Sequence, residues 1–293
     1  MNYSVTVNET GEQIKNVSRI VTNSQEKMIE EFKKRKKLYN KISEHCGNFY
    51  FYRYDKLLKT INDDTATAFR FLYVCTCADG DGKIVAYDKT YCSNISDFTY
   101  VFEKARGTVQ KYVNDLTNYK LVYKEDGVYK VNPFYYSTDL KDKGFKHCSI
   151  RTFNNAVREL YRNSNPEEHK LMGLLIKLSP YINVSNNIIC WNVDKTNIEE
   201  IQPFTRQEIQ HVLKPNTNYN YELLNKLENV LIKGELVIGR FEAGGIEHYK
   251  INPRLFYCGN NLEDLKSLIY SFDLTTHQYK EKNKKKKMVK GEN

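Results

Sequence analysis

The sequence predicts a mainly helical α+β protein made of two similar units in tandem. A near repeat points to it first: Tyr129-Lys130-Val131-Asn132-Pro133-Phe134 returns 120 residues later as Tyr249-Lys250-Ile251-Asn252-Pro253. Proline gives no N–H to a ladder and biases the residue before it toward extended geometry, so each copy reads as a strand ending at its proline. The order of patterns before each copy is the second observation, with an apolar helix, a short strand, two helices across a turn and a hairpin in both. Length is the third, since 293 residues, 40% of them hydrophobic, are enough for two units that each bury a core.

Charge narrows the partners. The net charge is +9 and the pI near 9.0, which favours polyanions. Lys280 to Asn293 holds seven Lys and two Glu, and Ser24 to Glu44 six Lys, one Arg and four Glu. The remainder is therefore nearly neutral, and any DNA-binding face there depends on local patches. Seven cysteines without a Cys-x-x-Cys pair, and a start without an apolar run, predict reduced thiols and a cytoplasmic protein, in a host cytoplasm if phage-encoded. No stretch approaches a membrane span.

Residues 1–47 read as an arm with two weak strand patterns, an edge hairpin or a partly ordered segment, and a basic helix from about Asn23 to Ser43. Lys33 to Lys37 on that helix form either a solvated face or a phosphate contact. The first unit, 48–137, opens with the aromatic run Asn48 to Tyr54. This strand either packs into a core or offers rings on which bases could stack. A short helix to Ile61 and a second, capped by Asp64, from Thr65 to Thr76 follow. Ala78 to Lys83 spells a calcium-loop beginning, but Thr90 stands where a bidentate carboxylate is needed, so it reads as a tight turn before a strand at Ile84 to Tyr87. Helices from Ser96 or Asp97 to Phe102 and from Val109 to about Thr117, the second capped by Thr108, flank a turn. Val109, Tyr112, Val113 and Leu116 give the second helix one apolar face. Arg106, Thr108, Gln110, Lys111 and Asn114 occupy its entry and opposite face, types suited to phosphates and base edges. An Asp-Gly turn then joins the two strands of a wing.

A linker is expected over 138–149 and a second unit over 150–260. Its parts are helices from Thr152 to Tyr161 and from Glu167, after Pro166, to Leu178, then a strand at Ile188 to Trp191. A capping box at Thr205 to Glu208 opens a helix to Leu213. A helix from Tyr219 or Asn220 to Leu231 presents Asn218, Asn220, Tyr221, Asn225 and Lys226. A hairpin from Leu236 to Ile251 places Arg240 near its tip. Residues 261–274 form a C-terminal helix that packs on the second unit or on another copy of the chain, giving a homodimer, and 275–293 a disordered Lys-rich tail.

This order, closed in each half by (Val/Ile)-Asn-Pro and aromatics, resembles the winged-helix replication and regulatory proteins of plasmids and phages of AT-rich bacteria. The abundance of Lys, Asn, Ile and Tyr fits such a genome. The resemblance implies two tandem winged helix-turn-helix domains and a non-enzymatic double-stranded DNA-binding protein, a replication initiator or transcriptional regulator working with replication or transcription machinery. The residues expected on DNA are those just named, from Arg106 to Arg240. No cofactor, catalytic or metal residue is expected, since no P-loop, Gly-rich dinucleotide fingerprint or His-Glu-x-x-His pattern occurs. One departure stands out: Asp115, Glu222 and Glu228 sit on the recognition-like helices. The alternative is a phage component or polymerase-associated factor that docks protein on the same scaffold.

Overall fold

A computed structural model describes residues 3–6, 13–17, 23–86, 89–139, 149–214, 222–243 and 246–290. The chain divides into two compact units, Met1–His45 and Cys46–Asn293. In the first, strands β1 (Tyr3–Thr6) and β2 (Gln13–Val17) pair antiparallel, and helix α1 runs Asn23–Cys46.

The second unit is α+β. Its first half contains β3 (Phe49–Arg53), α2 (Tyr54–Ile61), α3 (Thr65–Cys75), α4 (Asp97–Phe102), α5 (Arg106–Asn118), β4 (Val122–Glu125), β5 (Val128–Val131) and β6 (Tyr136–Ser137). Its second half contains β7 (Ser149–Phe153), α6 (Asn154–Asn163), α7 (His169–Leu178), α8 (Arg206–Leu213), α9 (Glu222–Glu228), β8 (Leu231–Ile232), β9 (Glu235–Leu236), β10 (Ile238–Ala243), β11 (Ile246–Ile251), β12 (Phe256–Tyr257) and α10 (Leu262–Lys290).

A four-stranded antiparallel sheet, in the order β12-β7-β3-β6, joins the halves. The inner pair centres on Phe51 opposite Arg151, with Tyr50 opposite Thr152 and Tyr52 opposite Ile150. The outer strands repeat one relation: Tyr52 pairs with Tyr136, and Thr152 pairs with Phe256. A local twofold therefore passes between β3 and β7. The aromatic strand is core, not a platform. Tyr50 and Tyr52 are buried, and their hydroxyls bond the Leu72 carbonyl, at 2.8 Å, and Ser179 Oγ. On the other face the Arg151 guanidinium lies over the rings of Phe49, Phe51 and Tyr257, and its Nη1 donates to the Gly259 carbonyl at 2.6 Å.

Helices α3 and α7 cross beneath this sheet. Helix α3 is apolar on almost every side and buried along its length, as a central helix should be. Asp64 caps it as expected, accepting from the Thr67 N–H at 3.1 Å. At the crossing a Cβ on Gly173 would lie 1.8 Å from the Thr65 carbonyl oxygen, so only glycine permits this approach. Around the crossing, one continuous core takes Phe71, Phe102, Leu116 and Val131 from the first half and Leu160, Leu175, Phe204 and Ile251 from the second. Each such fully buried side chain contributes about 1.5–3 kcal/mol. The expected linker, 138–149, lies mostly outside the described residues, and the halves it joins share this core.

The repeated motif builds a turn. Asn132 Nδ2 donates to the Lys120 carbonyl at 2.8 Å, and its Oδ1 accepts from the Phe134 N–H at 3.0 Å. Asn252 does the same with the Leu236 carbonyl and the Arg254 N–H, both at 2.8 Å. The asparagine thus ties the end of the hairpin to its start and turns the chain toward the outer strand of the sheet. The first hairpin closes on Asp126 and Gly127, both at positive φ as a type I′ turn requires.

Several expected boundaries move. Residues 149–153 form a strand where a helix was expected from Thr152, because pairing with β3 outweighs local preference. Helix α5 begins at Arg106, so Thr108 lies inside its first turn and Ala105, with no side-chain bond, precedes it. Helix α7 begins at His169, since Asn165 and Glu168 first close a turn in which Asn165 Oδ1 accepts from two backbone N–H groups. Helix α9 stops at Glu228, where the chain enters the β8–β9 hairpin, closed by Lys233 and Gly234 at positive φ. Helix α10 runs on to Lys290 through the Lys-rich stretch, which holds no Pro or Gly before Gly291.

Candidate nucleic-acid interface

Helix α5 follows α4 across a short turn and precedes the β4–β5 hairpin. Val109, Tyr112, Val113 and Leu116 are buried, the apolar face read from sequence. Arg106, Gln110, Lys111 and Asn114 are exposed on the other side, and Thr108 is half-buried. Gln110 Nε2 donates to Asn114 Oδ1 at 2.8 Å. In that arrangement the Gln110 Oε1 acceptor and the Asn114 amino donor face outward. Arg106 and Lys111 form no ion pair among the described residues.

The acid on this helix does not oppose that face. Asp115 pairs with Arg70 of α3 at 3.8 Å, and the Arg70 guanidinium lies 3.8 Å from the Tyr112 ring centroid. Arg70 Nε donates to His169 Nδ1 at 3.3 Å. Burial, then the nearby cations Arg70 and Lys104, hold His169 neutral by lowering its pKa to about 4. The positioning role of Arg70 and His169 was missed from sequence. A lone arginine inside the apolar run of α3 was the available signal, and His169 gave none.

In the second half the matching residues that are described, Asn225, Lys226 and Arg240, are occupied within the protein. Asn218, Asn220 and Tyr221 lie outside the described residues. Asn225 Oδ1 accepts from Arg206, Lys226 pairs with Glu222 at 2.5 Å, and Arg240 pairs with Glu247. Arg206 also pairs with Glu228 at 3.1 Å and reaches the Tyr249 hydroxyl, which donates to Glu247. These contacts link α8, α9 and the β10–β11 hairpin into one network. The capping box that starts α8 is present, with Thr205 accepting from the Glu208 N–H and Glu208 reaching back to Thr205.

Among the described residues no group of three His, Cys, Asp or Glu side chains is placed to hold a metal. Asp79 uses its carboxylate on the Asp81 and Lys83 N–H groups and the Tyr91 hydroxyl, as a tight turn does. No helix among the described residues is long and apolar enough to cross a membrane. Comparison with protein-family models, curated proteins and solved structures returns no match.

Proposed function

We propose that the chain is a double-stranded DNA-binding protein with two tandem winged-helix units, acting as a replication initiator or transcriptional regulator of the plasmid or phage type. The observation that supports it is the exposed face of α5. Arg106 and Lys111 supply phosphate contacts, the Gln110–Asn114 amide pair supplies base-edge contacts, and the β4–β5 hairpin stands directly after them. A gel-shift series at physiological salt against fragments of the native genome tests this. Sequence-selective retention that weakens with Gln110→Ala and Lys111→Ala is expected, and retention independent of sequence overturns it.

A docking role is favoured for the second half by its ion pairs, because Lys226, Arg206 and Arg240 are already neutralised. Purification from the native host with a stoichiometric protein and no DNA would support docking as the function of the whole chain.

A further inference from the structure

Helix α1 carries a basic run that the reading of α5 leaves unused. It has 24 residues, Asn23–Cys46, and its exposed side chains include Lys33, Lys34, Lys36, Lys37 and Lys41. Residues four apart in a helix lie one above the other, so Lys33, Lys37 and Lys41 stack on successive turns, about 5–6 Å apart, with Lys34 beside them. At a rise of about 1.5 Å per residue the stripe is about 12 Å long. Glu30 and Glu44 lie beyond its two ends, and no acid stands in the sequence between Glu31 and Glu44. Like charges four apart repel, and a polyanion relieves that repulsion along the whole stripe.

The opposite side of the helix decides which polyanion. Arg35, Leu38 and Tyr39 are half-buried there, and Ile42 and Cys46 are buried. A basic helix binds a lipid surface by sinking its apolar face into the headgroup boundary. Alongside the stripe that face is already covered, and the exposed apolar residues, Met28 at 67% and Phe32 at 39%, precede it. The outward lysines suit a phosphate backbone, which point charges neutralise with no apolar surface needed. Duplex DNA presents about one charge per 1.7 Å, so a stripe of this length meets at least as many phosphates as it has lysines.

We propose that Lys33, Lys34, Lys37 and Lys41 of α1 form a phosphate-contact stripe for duplex DNA that adds sequence-independent affinity; this rests on the DNA-binding function proposed above. The test uses the full chain as wild type, as K33Q/K34Q/K37Q/K41Q and as the control K59Q/K195Q/K233Q/K266Q, which removes the same charge from exposed lysines elsewhere. Dissociation constants are measured against salt on a genomic duplex, a scrambled duplex, an RNA hairpin and phosphatidylserine vesicles, with circular dichroism to verify the fold. The stripe variant should flatten the slope of log K against log salt by about 3–4 and weaken both duplexes by the same factor, at least tenfold. The control should change the slope by less than about 1. An unchanged slope in the stripe variant, an equal loss in the control, or a loss confined to RNA or vesicles overturns the stripe. Preference for the genomic over the scrambled duplex reports on α5 separately, so either proposal can fail alone, and a wild-type chain that binds neither duplex overturns both.

Discussion

Helix α5 shows Arg106, Gln110, Lys111 and Asn114 to solvent, while its acid, Asp115, faces Arg70. Helix α9 holds the same place in the second half, but Lys226 is paired with Glu222, and Asn225 and Glu228 are bound to Arg206. The two halves therefore share a backbone plan and differ in where their charges are used. Counting basic residues on each helix would miss this, because what matters for a polyanion is whether the cation already has a partner.

The largest effect should come where the halves touch. Helices α3 and α7 cross with Thr65 against Gly173 on one side and Phe69 against His169 on the other. Gly173→Val should cost more than about 3 kcal/mol or abolish folding, measured by urea denaturation, because the obstructing atom is backbone. The two Asn-Pro turns come next. Asn252 is fully buried and its replacement by alanine leaves the Leu236 carbonyl without its side-chain donor, a loss of about 2–3 kcal/mol. Asn132 is only half-buried, and Asn132→Ala should cost about 1 kcal/mol. Equal losses would mean that the turns do different work from that described.

The crossing also has a pH signature. His169 stays neutral in the folded protein, first because it is buried and then because Arg70 and Lys104 are near, with its pKa lowered from 6.5 to about 4. The unfolded chain binds this proton first, so stability is intact above about pH 6.5 and falls as the pH drops toward 4, by about 2 kcal/mol at pH 5. His169→Gln should show a shallower loss between pH 7 and 5 by chemical denaturation.

Effects on binding are smaller and separate the two helices directly. Arg106→Ala and Lys111→Ala should each lower DNA affinity by about tenfold and reduce the salt slope by about 1. Lys226→Ala, whose side chain is held by Glu222 and exposed, should change affinity less than about twofold. A reversal of that order would place the reading face on the second half.

The repeated motif, the Asp-Gly turn, the Thr205 capping box and the apolar face of α5 were all legible in the sequence, because each is specified by residues within a few positions of one another. Strand β7 was not, since Arg151 and Thr152 interrupt any apolar alternation and only the distant β3 makes them a strand. The site divides the same way. Periodicity gave which residues of α5 face outward, but the pairing of Arg206 with Glu228 and of Arg254 with Asp273 spans about twenty residues and two or more elements. Asp115 looked like an obstacle for that reason, its partner Arg70 lying far earlier in the chain.

The inner pair of strands, β3 against β7, has the symmetry by which two identical subunits commonly meet. In a homodimer such a junction weakens on dilution, and below the dissociation constant each subunit would be left alone with half a sheet. Here both partners belong to one polypeptide, so the junction is independent of copy number. A single chain carries the complete four-stranded sheet.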